Sequence, residues 1–235
     1  MSATAPKTQL IAAHGWAGDS RAWQPWAELA AARGWSFSAF ERGYGTLQPQ
    51  QPSWTSESEE RVVIAHSLGP HLLPPQVWEQ ATTAVWLASF AAFVPQGRLG
   101  RSSRIAVEAM RQRIAAGDST GLLRDFFRQA AAPYPPGAVP MGPLEQGIHG
   151  IGQQRLLADL GLLQNTTGLP AGYPAAARAL IVEAADDQIV HPSSRASLRE
   201  HLPQAEVWSL EPAGHCLLDP TLPARVMDWI ANAQP

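Results

Sequence analysis

The feature that most constrains this chain is a rhythm. Short apolar runs rich in branched residues alternate with longer stretches of helical spacing. Strands of that kind are buried on both faces and need crossover helices to lie parallel. Leu10-Ile11-Ala12-Ala13 reads as the first strand, ending at His14-Gly15. A helix is expected over 20–33, with Ser20 as its cap and Gly34 as its stop. Residues 35–40 form the next strand, closed by Glu41-Arg42-Gly43-Tyr44-Gly45. The polar stretch 46–58, with Pro49 and Pro52, fits only a short or irregular helix. Strands follow at 61–65 and 83–90, and the rhythm resumes with a strand at 179–183, a helix at 193–201, a strand at 206–210 and an amphipathic helix at 220–233. The fold class expected is α/β: a mostly parallel central sheet flanked by helices.

Residues 97–173 interrupt the pattern. They are rich in Arg, Gly and Pro, with amphipathic stretches at 105–116, 121–132 and 153–164. Ala132-Pro133-Tyr134-Pro135-Pro136-Gly137 breaks the run. The segment reads as a helical lid inserted above a core built from 1–96 and 174–235. Between Gly97 and Arg155 stand Arg98, Arg101, Arg104, Arg111, Arg113, Arg124, Arg128 and Arg155 against Glu108, Asp118, Asp125 and Glu145, a local balance of +4 in a chain whose total is −3. Such a segment suits a docking face for an acidic partner, and equally a solvated helix surface.

Several classes drop out. A chain of 235 residues holds one core domain with an insertion. No apolar run approaches the roughly 18 residues of a membrane span, and residues 1–9 lack the basic start and apolar stretch of a secretory signal. The single cysteine, Cys216, allows neither an internal disulfide nor a thiolate metal cluster, which suits a cytoplasmic protein. Of the other histidines, His14 and His66 read as makers of structural hydrogen bonds, and His71, His149, His191 and His201 show no ligand spacing, so no metal is expected. The negative net charge gives no reason to expect nucleic acid.

Three features fall at the carboxyl ends of expected strands, where open parallel sheets place their sites. Ala65-His66-Ser67-Leu68-Gly69 follows an apolar strand and leads into a helix. A serine in so sharp a turn needs small flanking residues, which Ala65 and Gly69 supply. The turn exposes the Ser67 hydroxyl and aims the Leu68 N–H at developing negative charge. Asp186-Asp187 follows the strand at 179–183, and Ala213-Gly214-His215 follows the strand at 206–210. The order serine, acid, histidine is one of those known for nucleophilic triads, with His215 as the base for Ser67 and a carboxylate to orient the ring. Cys216 reads as a packed small side chain.

With these motifs the chain resembles the α/β-hydrolases from His14 to about Trp229. His14-Gly15-Trp16 resembles their oxyanion loop, which implies that the backbone N–H groups of Trp16 and Leu68 form the oxyanion hole. Asp187 matches the family's acid because Ile189-Val190 fill the two apolar positions after it, with Asp186 as the alternative. Among these hydrolases the chain is most similar to the methyl-ester carboxylesterases of biotin synthesis, which hydrolyse pimeloyl-[acyl-carrier protein] methyl ester to pimeloyl-carrier protein and methanol. The likeness rests on His-Gly-Trp, on Trp23 and Trp26, on Ser67-Leu68-Gly69, on the small size and on the Arg-rich lid. It implies a carboxylesterase without a cofactor. Trp16, Leu68, Phe126, Phe127 and Arg128 would serve substrate binding, and lid arginines such as Arg111, Arg113, Arg124 and Arg128 would hold an acyl carrier protein. Lid-to-core packing is an equal reading of the two phenylalanines.

The sequence also departs from the family. Ala65 replaces the usual first glycine, and Pro74-Pro75 should cut the helix after the serine following about one turn. The segment 46–60 is short and polar where the family has a helix.

Overall fold

In the computed structural model the short apolar runs form one parallel sheet, the four central strands mostly buried and the two more polar strands at its edges. The structure describes residues 7–139, 142–145 and 147–232. The strands are β1 (Thr8–Ala13), β2 (Ser36–Phe40), β3 (Glu60–His66), β4 (Thr83–Leu87), β5 (Arg178–Ala184) and β6 (Glu206–Leu210). Their spatial order is β2-β1-β3-β4-β5-β6. The registers put Ala13 beside both Phe40 and Ala65, and Leu87 beside both His66 and Val182. All strands therefore end on one edge of the sheet, where the serine, acid and histidine loops lie.

Alternation along the strands divides the core in two. Leu10, Ala12, Val62 and Ile64 face one side, covered by α1 (Gln24–Ala32) and by the last helix through Trp26, Ala30, Val226 and Ile230. Ile11, Ala13, Val63 and Ala65 face the other, with Val77, Trp78 and Leu198. The prolines act as expected. After β3 the chain makes one turn, α2 (Gly69–Leu72), breaks, and makes a second, α3 (Pro75–Trp78).

Between β4 and β5 come three longer helices: α4 (Arg101–Ala115), α5 (Ser119–Ala131) and α6 (Gly150–Asn165). They bury Val107, Ile114, Leu123, Leu156 and Leu160 with Trp16, Tyr44, Leu68 and Phe90 from the strand-end loops, a third apolar cluster apart from the two sheet faces. Buried Asp159 on α6 fastens this layer, accepting bonds from Arg42 Nε and Nη2 and from the Tyr44 hydroxyl, each at 2.7 Å. The chain closes with α7 (Pro192–His201) and α8 (Leu222–Ala231).

Two expectations need correction. The helix expected over 20–33 opens as a 3-10 turn, Ser20–Trp23, capped by Asp19 and not Ser20: the Asp19 carboxylate accepts the Arg21 N–H, and α1 starts only at Gln24, without a side-chain cap. The strand expected to reach Phe90 stops at Leu87, because Ala88 turns into the left-handed region at φ 44°. The expectation about the first nine residues falls partly outside the described residues, as do the end of the closing helix at Ala233 and Pro140, Met141 and Gln146 of the insertion. Among the described residues no helix is long and apolar enough to cross a membrane.

Candidate active site

The turn that presents Ser67 is forced by close backbone approaches. Ser67 sits at φ 55°, and its N–H donates to the Leu87 carbonyl at 2.9 Å. A Cβ on Gly15 would stand 2.8 Å from the Ser67 Cβ, and one on Gly69 would collide with the Ala13 carbonyl, so both positions need glycine. Ala65 is tolerated where the family has glycine because its methyl packs into the sheet core. Among the described residues four non-glycine ones hold left-handed φ values: Ala17, Ser67, Ala88 and Leu217. Each lies in the loop after β1, β3, β4 or β6, and left-handed backbone of this kind gathers where a surrounding structure over-determines it.

His215 lies between the other two groups. Its Nε2 is 3.0 Å from the Ser67 Oγ and its Nδ1 is 2.9 Å from the Asp187 Oδ2. The other carboxylate oxygen, Oδ1, accepts the N–H groups of Ile189 at 2.8 Å and Val190 at 3.0 Å. Burial alone would raise the Asp187 carboxyl, but the His215 ring and those two amides overcome it and hold the group below its ordinary value. Asp186 is exposed and spends its N–H on the Ala213 carbonyl. Of the two candidate acids, Asp187 therefore meets the imidazole.

Two groups support the site: Ser89, which escaped sequence reasoning, and His66, expected to make a structural hydrogen bond. The Ser89 hydroxyl, buried beside the turn, donates to the Ser67 carbonyl at 2.6 Å. The His66 Nε2 lies 2.8 Å from the His215 carbonyl, with the two rings 4.9 Å apart. Burial, then the neighbouring His215, pushes His66 down to about 4. A neutral ring with its proton on Nε2 donates that bond and sets no fixed positive charge against an imidazolium at His215. No sequence motif announces either contact, since each joins residues set together only by the sheet.

The loop after β1 turns through Gly15-Trp16-Ala17-Gly18, closed by the Gly18 N–H on the Gly15 carbonyl at 3.1 Å. Among the described residues the backbone N–H groups of Trp16 and Leu68 have no acceptor, which leaves both able to bind an anion. The Trp16 indole is held by its bond to the Leu156 carbonyl, 3.0 Å, and by edge-on contact with Phe126 at 5.1 Å.

Ser67 and His215 open onto a cavity of about 750 Å³ walled mostly by apolar side chains, among them Trp16, Trp23, Trp26, Phe126 and Phe127. The two phenylalanines thus line the cavity and also pack the helical layer. The Leu68 side chain lies in the third cluster and does not line the cavity, so only its backbone bears on the site. Arg128 does not line it either: its exposed guanidinium pairs with Asp125 at 2.9 Å. Of the remaining lid arginines, Arg113 is held by Asp118 and Asp125 and Arg111 by the Leu157 carbonyl, whereas Arg124 is exposed without an ion-pair partner among the described residues. The Cys216 thiol is pushed up to about 12 by burial and by Asp187, and stays protonated beside the cavity. No group of three or more His, Cys, Asp or Glu side chains among the described residues could hold a metal ion.

Neither a protein-family profile nor a curated protein matches the sequence. Solved structures match over nearly its whole length. An esterase from Thermogutta terrifontis is 13% identical, with a TM-score of 0.68, over 99% of this chain and 92% of that one. The enol-lactonase of Burkholderia xenovorans is 11% identical, with a TM-score of 0.68 and the same coverage. A hydrolase from Oleispira antarctica is 13% identical, with a TM-score of 0.67, over 97% and 92%. At such identities the likeness is one of fold, and the fold is that of the α/β-hydrolases.

Proposed function

We propose that this chain, an α/β-hydrolase in fold, is a serine hydrolase of carboxylic esters. The observation that carries the proposal is one imidazole, His215, in hydrogen-bond reach of both the Ser67 hydroxyl and the Asp187 carboxylate beside an apolar cavity. Ser67 attacks the ester carbonyl while His215 takes its proton at Nε2. Asp187 stays anionic, holds the Nδ1–H and stabilises the imidazolium. The amides of Trp16 and Leu68 receive the oxyanion, each such donor contributing about 3–4 kcal/mol. His215 returns the proton to the departing alcohol, then deprotonates the water that hydrolyses the acyl-enzyme. The names of the similar structures, an esterase and a hydrolase among them, agree with this chemistry. A fluorophosphonate probe should label the wild type and not Ser67→Ala. An unlabelled wild type would instead favour a ligand-binding relative without catalysis.

Within that class the substrate proposed is the methyl ester of pimeloyl-[acyl-carrier protein], released as the free acid on its carrier in biotin synthesis. It is supported by the sequence resemblance, by the apolar cavity, and by Arg98, Arg101 and Arg124, which are exposed and free of ion pairs among the described residues. Turnover of the carrier-bound ester should fall with added salt while that of a small neutral ester should not. One observation favours hydrolysis of small esters without a carrier: Arg113 and Arg128 are already engaged by Asp118 and Asp125. An equal salt response for both substrates would select that reading.

A further inference from the structure

The cavity has one charged region apart from the His215 machinery, and it is built oddly for an acyl pocket. Arg21 lines the wall with four of its five N–H groups engaged: Nε and Nη2 bond Asp19, Nη1 bonds Glu145 at 2.9 Å, and Nη2 also meets the Gly142 carbonyl at 2.8 Å. Asp19 is buried, while Arg21 and Glu145 are roughly half exposed. Asp219 lines the same cavity, anchored by the N–H and hydroxyl of Thr221, with Arg225 only at 3.4 Å. Among the described residues the charged lining is thus three carboxylates against one arginine with four of its five N–H groups already engaged.

We infer that this cavity selects its substrates by charge, admitting esters whose chain is neutral beside the Arg21 cluster and turning away those that carry a free carboxylate there. The inference rests on the ester-hydrolase reading and gives it a substrate class. A carboxylate entering the cavity meets a lining in which acids outnumber the guanidinium three to one, and that guanidinium can offer it a single N–H without releasing a partner it already holds. A dicarboxylic chain would therefore enter as a monoester only when its far acid is masked, as an ester or a carrier thioester.

The test uses the dimethyl and monomethyl esters of one straight-chain dicarboxylic acid near neutral pH, compared by kcat/KM. The wild type should prefer the neutral diester by about tenfold or more. Glu145→Gln, at a half-exposed position, should shrink that preference, and Glu145→Lys should shrink it further or reverse it. A merely looser wall would slow both esters together and leave their ratio where it was. Equal efficiency on both esters in the wild type, or a ratio indifferent to both substitutions, would overturn the inference. If neither ester is hydrolysed and Ser67 resists a fluorophosphonate, the hydrolase reading has failed and this inference falls with it; labelling with an unmoved ratio removes the charge selection alone.

Discussion

Gly15→Ala offers the sharpest test of how the Ser67 turn is built. The new Cβ would stand 2.8 Å from the Ser67 Cβ, 3.1 Å from the His66 carbonyl oxygen and 3.3 Å from the His66 Nδ1. Carbon pairs settle at about 3.5–4.0 Å, so the two segments must part by about 1 Å. Neither can yield freely. Ser67 is pinned by its N–H on Leu87 and by Ser89 on its carbonyl, and the Gly15 carbonyl accepts from Gly18. Overpacking of this kind costs about 1–3 kcal/mol, which in a chain of this size lowers Tm by roughly 2–12 °C. Separating Ser67 from His215 by about 1 Å should slow ester turnover about a hundredfold. Thermal unfolding, kcat on a small ester and the rate of fluorophosphonate labelling read the two effects separately. Gly150→Ala is the control, because a Cβ there meets nothing within 4 Å. A Gly15→Ala protein with the Tm and labelling rate of the wild type would refute the close-approach account.

Asp187→Asn keeps the shape of the side chain but removes the charge and favours the wrong tautomer of His215, so kcat should fall by about 10⁴ with Tm little changed; stopped-flow acylation kinetics would show the loss in the first step. Trp16→Phe leaves the Leu156 carbonyl without the indole N–H and should cost about 1–3 kcal/mol in denaturant unfolding. His66 is held down to about 4 when folded, so the unfolded chain takes its proton first as pH falls. Its contribution is present above its unfolded value near 6.5 and is lost between there and about 4. The ring is partly exposed, and about 1–2 kcal/mol is the size expected. His66→Gln should flatten that arm of a stability–pH curve, and an unchanged arm would assign the acid loss to other groups.

What could be read in the sequence was whatever is written locally. Strand periodicity, the prolines at 74 and 75 that halve the helix after Ser67, and the positions of Ser67 and His215 at strand ends all depend on a few consecutive residues. Asp187 was separable from Asp186 only through the two apolar residues that follow it. The cap at Asp19, missed in favour of Ser20, differs by a single position, which local propensity does not resolve. Only the folded chain decided the rest. The Ser89 and His66 supports and the Arg21 cluster that joins the first loop to Glu145 are contacts between segments far apart in sequence. Their geometry follows from how six strands register and how three helices settle above them. No run of neighbouring residues carries that information, because the side chains that meet are chosen by packing and not by order along the backbone.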